Sequence, residues 1–408
     1  MQPHFHEFSD REYDRRKSRL LELMSERGLE AIVLSGDWSG ATNYRYVSGH
    51  SPRDYQMSYS RPHIFVMNAR GEAAIAAIYF SAGQVVETSW VENVVSYSQP
   101  FTVDILTQLF GDLGIHRGKV GWELGVGSRM ALPFATFLEF GTRLPQVEAV
   151  DFSSELFEMR KVKSAEEIEK IRMASEINHR ALNNAFTSEY EELTERNIYR
   201  EVVRQIITEH PSPRPPFAQI LSMSSNAFSG PLGAKSQFLP ASEEALRTGD
   251  TIVVDSGTAV DGYWSEFARM GVVGGPSRSQ AERHSVLREL VSTMLEDSYR
   301  PGDTAEQIID SLVKTYARLG FEPGDYQNYL TPPYRHLSHG LGLEASEEPL
   351  LMRGANEVLA PGMVISIEVA IQGEGVRYCT EETITITDTG AEVLSPRDIG
   401  MFSIPEKG

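Results

Sequence analysis

Along the first third of the chain, apolar positions switch between helical and strand-like spacing. Tyr13, Leu20, Leu21 and Met24 recur on one helical face, Ser9 and Glu12 precede them as a capping-box pair, and Gly28 stands where a left-handed residue would end the helix. "LEAIVL" then predicts a strand. "PHIFVM" and "EAAIAAIYF", on either side of "NARG", predict two more, and "KVGWEL" another after a helix at 103–113. Helices alternating with strands to about residue 150 indicate an α/β unit.

Ser164 and Glu167 form a second capping box in "KSAEEIEKIRMASEINHRAL", where Ile168, Ile171, Ala174 and Ile177 keep helical spacing. Helices are predicted near 166–187, 193–209, 279–297 and 304–319, and strands at 250–257, 262–273, 362–371 and 375–387. Two stretches, "HPSPRPPFAQILSMSSNAFSGPLGAKSQF" and "YLTPPYRHLSHGLG", are rich in Pro, Ser and Gly and predict long functional loops.

The strand pairs carry acids in apolar surroundings. A turn at Val260-Asp261, with Gly262 just after it, would set Asp255 directly opposite Glu266, with β-carbons about 5 Å apart on one face. A turn at Glu374-Gly375 would set Glu368 opposite Glu381. An isolated strand acid usually faces water, but "TIVVD" and "MVISIEVAI" are too apolar on both faces to be solvated edges. Buried, paired carboxylates call for cations or protons. His339 in "SHGLGLEASEEP" would complete a ligand set among glycines that permit close backbone approach. Oxygen donors with one imidazole suit manganese, iron, cobalt or zinc. Two such ions about 3.5–4 Å apart would neutralise the four acids, activate water and polarise a carbonyl.

Composition narrows the class. The chain has 408 residues, long enough for two domains, with 41% hydrophobic and 23% charged residues. Its formal net charge of -19 disfavours nucleic acid and anionic membrane as partners. Cys379 is the only cysteine, which excludes an intrachain disulfide and fits a reducing cytoplasm. The opening "MQPHFHEFSDREYDRRKSR" does not read as a signal peptide, and no apolar run approaches the roughly 20 residues of a membrane span.

These features resemble the pita-bread family of aminopeptidase P, prolidase, methionine aminopeptidase and creatinase. "NYRYVSGH", "MRKVKSAEEIEKIRMASEI", "LAPGMVISIE" and "EETITIT" carry the resemblance across nearly the whole chain. It implies an α/β (α+β) architecture, with a creatinase-type N-terminal domain over 1–155 and a pita-bread catalytic domain over 156–408. It also implies a ligand set of Asp255, Glu266, His339, Glu368 and Glu381 holding two divalent ions, manganese first and iron, cobalt or zinc otherwise. Glu266 stands where the metallopeptidases carry Asp, a side chain longer by about 1.3 Å. The family's accessory histidines are replaced by Leu232, Arg335 and Ser346.

The reaction implied is metal-dependent hydrolysis of an amide-type C–N bond in a dipeptide or small nitrogenous molecule, in a cytoplasmic homodimer. Glu368 or Glu381 would relay the proton, with Glu266 and His339 beside them. Alternatives are a metal-free, creatinase-like hydrolase that uses Glu266 as proton donor or nucleophile, and a non-catalytic pita-bread binding module. Arg335 and Arg377 are placed to pair with a substrate carboxylate or with the acidic cluster itself, and His336 to stand in for a lost imidazole. Arg269 leans to a structural ion pair, and Cys379 to a small buried residue. "GHSPRDYQMSYSRPH" offers His50, Arg53, Tyr55 and Arg61 as an exposed polar loop, which the resemblance implies would cap a partner's site.

Overall fold

The computed structural model describes residues 6–52, 59–127, 129–209, 228–229, 241–322, 336–373, 376–396 and 400–406. Its contacts divide the chain into two units, Met1–Arg160 and Lys161–Gly408.

The first unit is built on six strands: β1 (Ala31–Gly36), β2 (His63–Asn68), β3 (Ala73–Ile78), β4 (Asn93–Tyr97), β5 (Gly118–Trp122) and β6 (Val147–Asp151), in the order β4-β3-β2-β1-β5-β6. β1, β2 and β3 pair antiparallel, and the flanking strands run parallel to their neighbours. Six helices accompany them: α1 (Asp10–Arg27), α2 (Thr42–Ser48), α3 (Ala82–Thr88), α4 (Val103–Asp112), α5 (Phe134–Arg143) and α6 (Ser153–Lys161). Val33, Val66, Ile78, Leu106, Phe110, Trp122 and Phe140 fill the core between sheet and helices.

Gly28 closes α1 in the left-handed conformation at φ 62°, donating to the carbonyls of Met24 and Ser25. Ser9 caps α1 by accepting from the Glu12 amide, but the box is incomplete. Glu12 instead turns its carboxylate to Arg15 and Arg16 at 2.7–2.8 Å, because two guanidiniums outcompete one amide.

The second unit opens with α7 (Ala165–Thr187), where the capping box is complete: Ser164 accepts from the Glu167 amide and Glu167 accepts from the Ser164 amide. It continues with α8 (Glu195–Glu209), a two-residue strand β7 (Phe228–Ser229), the hairpin β8 (Thr251–Val260) and β9 (Tyr263–Val273), and the helices α9 (Arg278–Asp297) and α10 (Ala305–Arg318). Then come β10 (His336–Gly340), β11 (Glu347–Met352), the hairpin β12 (Val364–Gly373) and β13 (Val376–Ile386), β14 (Ala391–Val393) and β15 (Phe402–Ile404). They form a four-stranded sheet, β15-β9-β8-β7, and a five-stranded sheet, β11-β10-β12-β13-β14.

Side-chain alternation divides the labour of β8 and β9. Ile252, Val254 and Phe267 pack with Ala174, Ile177, Leu182, Ile198 and Val202 of α7 and α8. Val253, Ala268 and Met270 join a second core with Leu287, Met294, Ile308 and Leu312 of α9 and α10 and Ile367 and Ile371 of β12. Asp255 and Glu266 lie on the same strand faces as this second set.

Candidate metal centre

The first hairpin is displaced from the register expected above. Val260 opposes Tyr263, so the turn is Asp261-Gly262, with φ of 47° and 78° at its two residues. Both angles are positive, as a type I′ turn requires, and Asp-Gly is suited to supply them. Asp255 therefore opposes Ala268, and Glu266 opposes Gly257. The shift is two residues, and a strand's side chains repeat every two. Asp255 and Glu266 keep a common face as diagonal rather than direct neighbours. The second hairpin has the expected register, with Glu368 opposite Glu381. Its turn residues, Glu374 and Gly375, lie outside the described residues.

His339 reaches the same place from β10, a strand in a segment whose Pro and Gly content predicts a loop. It pairs with Ser366 of β12, two positions from Glu368, and with Leu350 of β11, beside a register shift that interrupts the β10–β11 ladder. His339 Nδ1 lies 3.1 Å from the Gly340 carbonyl. A carbonyl can only accept, so Nδ1 is the donor there, and Nε2 is the ring nitrogen left to act as a ligand.

Ligand atoms of Glu266, His339 and Glu381 lie within 4.8 Å of one another. Asp255 acts electrostatically on Glu266 and Glu381, and the Glu368 charge acts on both as well. Glu381 is buried and the other four are half-buried. Burial, then the neighbouring charges of Asp255 and Glu368, hold Glu266 well above the ordinary carboxylate range. Burial, Glu266 and Glu368 do the same to Glu381, against the lowering effect of a Ser366 hydroxyl bonded to its Oε1. Clustered carboxyl oxygens whose burial and mutual repulsion raise the pKa of Glu266 and Glu381, beside an imidazole anchored through Nδ1, fit a divalent ion.

Several supporting residues escape sequence reasoning. Ser366 donates to Glu381, the Cys379 thiol donates to Glu368 Oε1 at 3.4 Å, and Thr383 bonds the main chain of Glu266. The only signal for them is strand alternation, since each lies on β12 or β13 two residues from a ligand.

Arg269 is a buried clamp, as its position beside the acids suggested. It bonds Glu382 at 2.9 Å and the carbonyls of Ala268, Glu381 and Pro396, with its guanidinium over the Phe267 ring. In the first unit, His50 is buried against Thr88. Arg61 is buried too, stacked 4.8 Å from the Phe80 centroid and bonded to Gln99. Ser346 is exposed. Arg53, Tyr55, Leu232 and Arg335, and the side chains of His336 and Arg377, lie outside the described residues.

Residues 169–388 match the model of metallopeptidase family M24, and residues 16–162 that of the creatinase/prolidase N-terminal domain. The chain belongs to metallopeptidase family M24. It is 32% identical to a Xaa-Pro dipeptidase of Pyrococcus horikoshii over 67% of this chain and 73% of that protein. It is 33% identical to a Xaa-Pro dipeptidase of Pyrococcus furiosus over 58% of this chain and 64% of that protein. The solved X-Pro aminopeptidase of Thermotoga maritima has the same fold, with a TM-score of 0.76 at 22% identity over 95% of this chain and 99% of that one. Among the described residues, no helix is long and apolar enough to cross a membrane.

Proposed function

We propose that the chain is a metal-dependent dipeptidase that hydrolyses the amide C–N bond of Xaa-Pro or related dipeptides. The observation that carries the reading is the convergence of Glu266, His339 and Glu381 within 4.8 Å, with both carboxyls driven toward their protonated forms. Asp255, Glu266, His339, Glu368 and Glu381 would hold two divalent ions, with manganese the first candidate for an oxygen-rich set bearing one imidazole. When bound, the ions supply Lewis-acid polarisation of the substrate carbonyl and lower the pKa of water.

The chain's own groups do the rest. Nδ1–H of His339, anchored on Gly340, fixes the ring so that Nε2 points to the donor cluster. The Ser366 hydroxyl orients Glu381 through Oε1, and the Cys379 thiol orients Glu368 through its Oε1. Glu368 and Glu381, opposed across the β12–β13 ladder, form the pair that takes a proton from water and returns it to the leaving nitrogen. Arg335, His336 and Arg377 are assigned to the substrate's carboxylate end, and Arg53 and Tyr55 to a cap over a partner's site in a cytoplasmic homodimer; Arg61, buried against Phe80 and Gln99, is not part of it. A buried lone cysteine accords with a reducing compartment.

Assay of EDTA-treated protein against a panel of Xaa-Pro and non-proline dipeptides, with and without Mn²⁺, tests the reading. Activity that appears only with the metal supports it. Full activity without metal would transfer the role to Glu266 as a protonated acid, the metal-free reading that its raised pKa favours.

A further inference from the structure

The two carboxylates that approach His339 sit on strands of different sheets, and the described residues show no backbone ladder between β9 and β13. Within each hairpin the ladder fixes the spacing of the acids. Between hairpins side chains must do it, because sheets in contact without a ladder have no hydrogen-bond register to stop them sliding.

Side chains supply that register: Met270 of β9 accepts from the Cys379 amide of β13 at 3.3 Å, and two others grip the ligand-bearing main chains reciprocally. Thr383 of β13 reaches the main chain of Glu266 on β9: its hydroxyl donates to the Glu266 carbonyl at 2.7 Å and lies 3.3 Å from the Glu266 amide. Arg269 of β9 reaches the main chain of Glu381 on β13, donating from Nη1 to the Glu381 carbonyl at 2.9 Å, while Nη2 bonds the neighbouring Glu382 at 2.9 Å. Thr383 is completely buried and Arg269 is 2% exposed, so water does not compete for these bonds. Ser265 continues the contact behind Thr383, its hydroxyl lying 3.4 Å from Thr383 Oγ1 and 2.5 Å from Ser175 Oγ of α7.

We propose that Thr383 and Arg269 are positioning residues that set the distance between the Glu266 and Glu381 carboxylates, each strand gripping the ligand-bearing main chain of the other. The inference rests on the metal reading above and extends it from the ligands to the device that spaces them. Thr383→Val keeps the shape and removes the hydroxyl. Thr383→Ser keeps the hydroxyl. Arg269→Lys keeps the charge but cannot span the carbonyls and Glu382 at once. Thr385→Val is the control, because Thr385 is equally buried on the same strand but bonds the Met363 carbonyl at 3.3 Å, away from β9.

Mn²⁺ affinity is measured by calorimetric titration of each EDTA-treated protein, with its melting temperature recorded on the same sample. Thr383→Val and Arg269→Lys should each weaken Mn²⁺ binding about ten- to a hundredfold, the loss expected when support behind a ligand is removed. Thr383→Ser and Thr385→Val should bind nearly as wild type does. Wild-type affinity in Thr383→Val, or an equal loss in Thr385→Val, would overturn the proposal and leave the metal site standing. Absence of Mn²⁺ uptake by the wild-type protein would overturn both. Arg269→Lys acts through a different contact, so it decides the matter if Thr383→Val does not fold.

Discussion

Glu382→Gln isolates one charge in the interior of the second unit. Glu382 and Arg269 pair at 2.9 Å with both side chains 2% exposed, and the Ser395 hydroxyl also donates to Glu382 Oε2. The substitution preserves volume and deletes only the charge, leaving Arg269 with the carbonyls of Ala268, Glu381 and Pro396. Removing one member of a buried ion pair costs about 3–5 kcal/mol. Three carbonyls still solvate the guanidinium, which places this variant near the lower end, at about 3 kcal/mol. In a unit of about 250 residues each kcal/mol moves the melting temperature by about 2–4 °C, so the metal-free variant should melt about 6–12 °C below wild type. Calorimetry on EDTA-treated protein reads this directly. The double variant Arg269→Met/Glu382→Leu should recover part of the loss, since it removes the desolvation penalty with the charges. A Glu382→Gln protein melting within about 1 °C of wild type would refute the reasoning, because the charge would then be hydrated or paired elsewhere.

Three further outcomes follow from particular contacts. His284, buried in α9 and facing the charges of Arg288 and Arg269, has its pKa lowered to about 4, burial being the larger cause. Its unfolded pKa is higher, so the neutral folded form loses stability as pH falls through about 6.5 toward 4. That loss is up to roughly 3 kcal/mol, and His284→Leu should flatten this part of the stability–pH profile. In Gly340→Ala the new methyl would collide with the main chain of Glu348 and Pro349 on β11, its β-carbon only 2.6 Å from the Glu348 carbonyl carbon. That strand packs beside His339, so Mn²⁺ binding and melting temperature should fall together. Gly271→Ala drives a β-carbon to 2.8 Å from the Phe186 ring and 2.9 Å from Ile404, overpacking that should cost about 1–3 kcal/mol in a denaturant melt without altering metal affinity.

The acids were legible because burying a carboxylate in an apolar strand needs a compensating partner, and that demand is written into "TIVVD" and "MVISIEVAI". The first hairpin shows how far such reasoning reaches. A turn placed one position early moved the register by two, and the face survived because the side-chain period is also two. The positive φ of Asp261 and Gly262 identifies the Asp-Gly signal that would have fixed it.

Other parts were hidden for reasons of distance. β10 has little strand character of its own and exists because β11 and β12 pair with it on either side. Glu12 turns to Arg16 rather than to its cap because Arg16, itself buried, also bonds the Tyr46 carbonyl 30 residues on, a contact no local pattern contains. Thr383 and Arg269 belong to the same class. Each is an ordinary strand residue until β9 and β13 are brought together.

The position of a bound metal tests the site most directly. Anomalous diffraction from crystals grown with Mn²⁺ should place its strongest signal among the carboxylates of Glu266 and Glu381 and Nε2 of His339, with Asp255 and Glu368 completing the shell. A map without signal there, or with manganese bound only elsewhere, would contradict it.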